Sequence, residues 1–155
     1  SGLTRKYVEH YGEFAPSADQ RFAYSCVGLD EDSHSPLVQL WKTREKVITD
    51  FAVEKPCVIV GSCADYILRD REDCLKVFLY ADEETKEKRI HEIYGEVGLK
   101  LKNRVKDMDI RRSLNYKYFT GQDWGKAQNY DLALNRGSLG IEKCAKLIVE
   151  AALEE

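Results

Sequence analysis

From Pro36 to Val53 the apolar residues Leu37, Leu40, Trp41, Val47, Ile48 and Phe51 recur at helical spacing, which puts their side chains on one face. Ser35-Pro36 supplies a start, because proline at the first helical position gives up only an N–H that would have no partner in the helix. Upstream, Leu3 to Tyr11 carries a shorter helical pattern, followed by the irregular EFAPSADQRFAYSC. Beyond Lys55-Pro56 the pattern changes. CVIV at 57–60 and LKVFLYA at 75–81 are short continuous apolar runs, as expected of strands buried on both faces.

Asp82-Glu83-Glu84 reads as a cap and acidic first turn of a helix reaching about Tyr94. That helix has few apolar residues beyond Ile90 and Ile93 and is expected to be well exposed. A second helix runs from about Leu99 to Tyr118, TGQDWGKAQ is a loop, and NYDLALN is a third strand. Ser138 then opens a terminal helix with Ile141, Cys144, Ala145, Ile148 and Val149 facing inward. Strands alternating with helices predict an α/β fold, a parallel β-sheet flanked by helices.

In such a sheet the strand ends at Gly61 to Asp65, Ala81 to Glu84 and Asn135 to Ser138 gather on one edge. Helices that begin there aim their N-terminal amides at it, so the expected guest is an anion. Glycine and serine at any one strand end also serve simply to make a turn. Three such ends, beside a basic segment, favour a phosphate site.

The bulk numbers narrow the class. The chain has 155 residues, 43% hydrophobic and 33% charged, so it is expected to be one domain of ordinary globular composition. No segment has the apolar length of a membrane span or signal peptide, and a cytoplasmic location is expected. The five cysteines, Cys26, Cys57, Cys63, Cys74 and Cys144, form no C-x-x-C pair and read as reduced core or near-core thiols. His10, His34 and His91 show no metal-ligand spacing, and no G-x-S-x-G elbow occurs. A net charge of −3 argues against a protein-wide nucleic-acid surface. Yet seven basic residues between Lys100 and Lys117 face only Asp107 and Asp109, a local surplus of five.

On that basic helix Asp109, Arg112 and Tyr116 stand at i, i+3 and i+7 and share a face. The spacing fits a carboxylate that orients an arginine for a phosphate, whose oxygens the planar guanidinium bonds two at a time. It equally fits an exposed ion pair of small energy. Asp65 and Asp82, each just past a strand, suit orientation of a substrate or a magnesium ion, with capping the favoured role for Asp82.

Taken in order, PCVIVGSCADYILRD, LKVFLYADEETKEKRI, DIRRSLNYKYFTGQDWGKAQNYDLALN and GSLGIEKCAKLI resemble the cytidylate kinase-like family of P-loop nucleoside monophosphate kinases. The resemblance runs from Ser1 nearly to the C-terminus. It implies phosphoryl transfer from ATP, with Mg²⁺, to a nucleoside monophosphate, CMP or dCMP being favoured. It also implies that Gly61, Ser62, Asp65, Arg69 and Tyr116 bind the acceptor. Arg89, Asp109 and Arg112 would be catalytic, in or at the base of a lid spanning 95–121. Asn135, Gly137 and Ser138 would border the adenine. Such kinases work mainly by positioning reactants and neutralising charge, and a basic lid closes to exclude water.

The chain departs from the family pattern in three places. Ser62 stands where an arginine is expected, and Asn115 where an aromatic is common. The G-x-x-x-x-G-K-[ST] loop that holds the β- and γ-phosphates is missing, Gly125-Lys126-Ala127 being its nearest approach. In the family that loop follows a central strand, between those matching CVIV and VFLY. Three explanations are open: an N-terminal part lies outside this chain, the sheet closes directly between its remaining strands, or another chain supplies the pairing. The first is favoured, and the expectation is a single domain over 1–155 that is N-terminally incomplete and inactive without its P-loop. An incomplete sheet also raises the chance of a homodimer. Two other readings use the same residues. One is a catalytically dead nucleotide-binding or regulatory module, for which Ser62 and the absent P-loop speak. The other is an RNA-binding protein using the basic helix with Tyr116, Tyr118, Phe119 and Trp124, which the acidic remainder disfavours.

Overall fold

The computed structural model describes residues 36–95 and 98–153. The expected helix from Leu3 to Tyr11, with Cys26, His10 and His34, lies outside the described residues. The chain divides into two compact units, Ser1–Arg69 with Arg111–Trp124, and Asp70–Ile110 with Gly125–Glu155.

In the first unit, α1 (Pro36–Glu54) forms as its apolar period predicts. It buries Leu37, Leu40 and Ile48, each contributing about 1.5–3 kcal/mol by leaving water. Val47 and Phe51, also expected inward, are 46% and 49% exposed. Trp41 lies nearly parallel to Phe119, ring centroids 4.8 Å apart. One turn along α1, the Arg44 guanidinium sits over both rings, 5.8 and 5.3 Å from their centroids, where ring quadrupoles attract a cation.

The expected strand CVIV does not form: residues 56–60 carry no regular secondary structure and pair with no strand among the described residues. Val58 is 93% and Val60 85% exposed. The apolar run was read as a strand, but a strand also needs a neighbour for its N–H and C=O groups, which local sequence cannot supply. The chain then turns through Gly61, Ser62 and Cys63, whose φ angles are 72, 57 and 58°, into the short helix α2 (Ala64–Ile67).

The second unit is built on a parallel pair, β1 (Val77–Tyr80) with β2 (Leu132–Asn135), in register from Val77 opposite Leu132 to Tyr80 opposite Asn135. The pair is the whole sheet among the described residues, so an α/β architecture with a small parallel sheet is present. The pairing is locked at its entry. Asp131 accepts from the Lys76 amide at 2.7 Å, and the Asp131 and Leu132 amides donate to the Lys76 carbonyl at 2.8 and 3.1 Å. Phe78 stacks on Tyr130, centroids 4.9 Å apart.

Helix α3 (Glu83–Tyr94) buries none of its residues, as its composition predicts, and its expected cap is in place: the Asp82 carboxylate accepts from the Thr85 amide at 2.7 Å. Helix α4 (Leu99–Thr120) buries Leu101 and Val105 in its N-terminal half. The expected terminal helix is broken in two, α5 (Arg136–Leu139) and α6 (Ile141–Leu153), because Gly140 takes a φ of 77°. Cys144 is 2% exposed, but Ile141, Ala145 and Val149, expected inward, are exposed. No helix is long and apolar enough to cross a membrane among the described residues.

Gly125 also holds a positive φ, 76°, and a Cβ there would come within 2.9 Å of Phe78 Cζ. The ring is held by its stack on Tyr130, so it cannot simply swing away. Gly125→Ala is expected to destabilise the protein by about 1–3 kcal/mol, the cost of backbone strain plus overpacking. Denaturant unfolding checks this, and an unchanged midpoint would contradict it.

Candidate functional site

The residues singled out by sequence fall in both units. Gly61, Ser62, Asp65, Arg69, Arg112 and Tyr116 belong to the first, and Arg89, Asp109, Asn135, Gly137 and Ser138 to the second.

In the first unit the strand-end turn is held by two consecutive residues of α4. The buried Cys63 thiol lies 3.9 Å from Asn115 Oδ1, to which it donates. Two residues on, the Asp65 carboxylate accepts from the Tyr116 hydroxyl at 2.6 Å, the short distance of a charge-assisted bond. Gln122 Oε1 is 3.4 Å from the same hydroxyl, whose one proton goes to the closer, charged acceptor. Tyr116 is 4% exposed and Asn115 6%. A phenylalanine at position 115 would have no acceptor to offer the thiol.

This pair of tethers has a function in holding the backbone. Ser62 and Cys63 are non-glycine residues in the left-handed region, each costing about 1–3 kcal/mol unless its surroundings impose it. Burial pushes the Cys63 thiol up to about 11, with Asp65 also raising it and Arg44 opposing. The thiol therefore keeps the proton it donates to Asn115, and Cys63 is suited to packing and not to nucleophilic attack.

Arg69, in the turn after α2, is exposed and folded back on that helix, Nη1 donating to the Tyr66 carbonyl at 2.9 Å and the guanidinium 4.4 Å from the Tyr66 ring centroid. Gly61 is exposed and Ser62 half-buried at the turn, and Arg112 is exposed on α4.

In the second unit the Asp109 carboxylate forms an ion pair with Lys86 of α3, both side chains being about 30% exposed. Sequence reasoning missed Lys86, which lies 23 residues away and has no spacing relation to Asp109. Lys106 approaches Glu83 at 3.9 Å. Arg89 is exposed on α3.

The strand ends align on one edge, Tyr80 opposite Asn135. There Asn135 Oδ1 accepts from the amides of Gly137 and Ser138 at 3.0 and 3.3 Å, capping α5. A Cβ on Gly137 would lie 3.1 Å from both Asn135 Oδ1 and Thr85 Oγ1, and 3.4 Å from Asp82 Oδ2. Glycine thus lets two capped helix starts sit against each other. Hydrogen bonding to the Thr85 backbone holds the Asp82 carboxyl below its ordinary value.

Comparison with known proteins follows this geometry. The cytidylate kinase-like family matches the chain over residues 1–138. No curated protein matches it significantly. Among solved structures, the crystal structure of an uncharacterized protein from Eubacterium ventriosum ATCC 27560 is similar, with a TM-score of 0.71 at 24% identity, covering 96% of this chain and 88% of that one. That likeness shows a shared fold.

The Cys63 thiol gives a testable consequence. Its pKa, raised from 9.0 to about 11, lies above that of the unfolded chain. The neutral form is therefore fully favourable to folding below pH 9.0, and this stability is lost as pH rises through about 11. In native protein at pH 8, iodoacetamide is expected to modify exposed Cys57 and leave Cys63 intact, with Cys63 reacting only on unfolding. Peptide mass mapping checks this, and equal rates at the two thiols would contradict it.

Proposed function

Since the chain belongs to the cytidylate kinase-like family, we propose that it is the acceptor-binding and lid portion of a nucleoside monophosphate kinase whose phosphate-binding strand is supplied from outside Ser1–Glu155. The observation that carries this reading is the apolar run CVIV, which pairs with no strand among the described residues and leaves Val58 and Val60 93% and 85% exposed. The β1–β2 pair likewise leaves an edge of each strand without a strand partner among the described residues, and isolated two-stranded sheets are marginal in water. A further parallel strand would satisfy backbone groups otherwise left open, each costing about 1–3 kcal/mol if buried unpaired.

The residues present do not form an ATP phosphate cradle, since no G-x-x-x-x-G-K-[ST] occurs. What they supply is the acceptor side. CMP or dCMP is the favoured acceptor by family membership. The Gly61–Asp65 turn with Asp65 and Arg69 forms its pocket. The exposed Arg112 and the basic helix α4 (Leu99–Thr120) supply cations to a closing lid over 95–121. Magnesium is held largely by substrate phosphates and water, so it would arrive with ATP; no group of three metal-ligating side chains occurs among the described residues.

The test is calorimetric titration with CMP, dCMP, UMP and AMP, followed by a coupled assay of ADP release from ATP and Mg²⁺. The chain Ser1–Glu155 is expected to bind CMP without turnover. Joined to a strand ending in the P-loop sequence, it is expected to release ADP in a CMP-dependent way. Failure of Ser1–Glu155 to bind any nucleoside monophosphate would overturn the reading. CMP binding with no turnover even with the strand present would favour a catalytically dead nucleotide-binding module.

A further inference from the structure

Resting on the acceptor-site reading above, we propose that Tyr116 is a positioning residue: it acts on the nucleoside monophosphate through the Asp65 carboxylate. Its aromatic ring, 4% exposed, is not a surface on which a base can stack. What it presents is its hydroxyl, 2.6 Å from Asp65 Oδ2. The other oxygen of Asp65 makes no hydrogen bond among the described residues, so it is the acceptor left for a ligand donor.

The tether is itself anchored. The Thr120 hydroxyl donates to the Tyr116 carbonyl at 2.6 Å and accepts from the Gln122 amide at 3.1 Å, which ties the end of α4 to the segment after it. Asn115, the preceding residue, holds the Cys63 thiol. Two adjacent helix residues thus fix positions 63 and 65, on either side of Ala64. Asp65 itself is half-buried, and without the tether its carboxylate would rotate broadly about its last torsion. A ligand would then have to immobilise it on binding, which lowers affinity. The arrangement pre-pays that ordering in the folded protein.

The experiment is a double-mutant cycle on CMP affinity, using Ser1–Glu155 and the variants Tyr116→Phe, Asp65→Asn and the double variant. Phenylalanine keeps the ring and its packing and removes only the hydroxyl, and circular dichroism verifies that each variant is folded. Tyr116→Phe is expected to weaken CMP binding by roughly threefold to tenfold, in line with freeing one or two ordered torsions. In the Asp65→Asn background the same substitution is expected to change affinity by less than about twofold, because the hydroxyl acts only through the carboxylate. A merely structural role would instead add its full loss to that of Asp65→Asn. Additive losses, or wild-type affinity in Tyr116→Phe, would overturn the positioning role while leaving the acceptor site standing. Absence of CMP binding in the unsubstituted chain would overturn both.

Discussion

A parallel strand with both faces covered has no water to turn to, so each of its backbone groups needs a neighbouring strand. The second unit meets this need once, with Val77–Tyr80 against Leu132–Asn135, and the register of that pair brings two strand ends and two capped helix starts to one edge. The apolar run at 57–60 has no strand neighbour among the described residues, and its valines stand in solvent. The Gly61–Asp65 turn that follows must therefore be held by other means. Side chains of α4 do this, through the thiol of Cys63 and the carboxylate of Asp65.

Helix α4 carries the basic cluster, and part of that charge is already committed. Lys106 lies near Glu83, Lys117 pairs with Asp123 at 2.8 Å, and the Arg104 guanidinium sits 4.8 Å from the Tyr94 ring centroid. Exposed pairs of this kind contribute little to stability, about 0–1 kcal/mol each. They are correspondingly easy to exchange for a stronger anion such as a phosphate. Asp109 differs in being half-buried with Lys86, so breaking that pair strands a partly desolvated charge. The helix thus combines exposed cations with one half-buried pair.

Much of the fold was legible in local pattern. The helices over Pro36–Glu54, Glu83–Tyr94 and Leu99–Thr120, the parallel strands VFLY and LALN, and the Asp82 cap all depend on contacts within a few residues or on alternating element order. The cation over aromatic rings at Trp41 and Arg44 had a signal too, their i, i+3 spacing on one helix. The terminal helix expected from Ser138 is instead two helices, because Gly140 takes a φ of 77° that ends one before the next begins.

Sequence by itself determined the long helices, the strands VFLY and LALN, the family, and that no G-x-x-x-x-G-K-[ST] occurs in Ser1–Glu155, because periodicity, capping residues and motif spacing are local properties. Only the tertiary structure decided which acid meets which base. Asp109 stands one turn from Arg112 along the helix but bonds Lys86 on another helix, and Tyr116 bonds Asp65 from 51 residues away. Spacing along a helix fixes which side chains share a face, and it leaves open what packs against that face. For the same reason CVIV was read as a strand: an apolar run suits one, while pairing is a property of the neighbour.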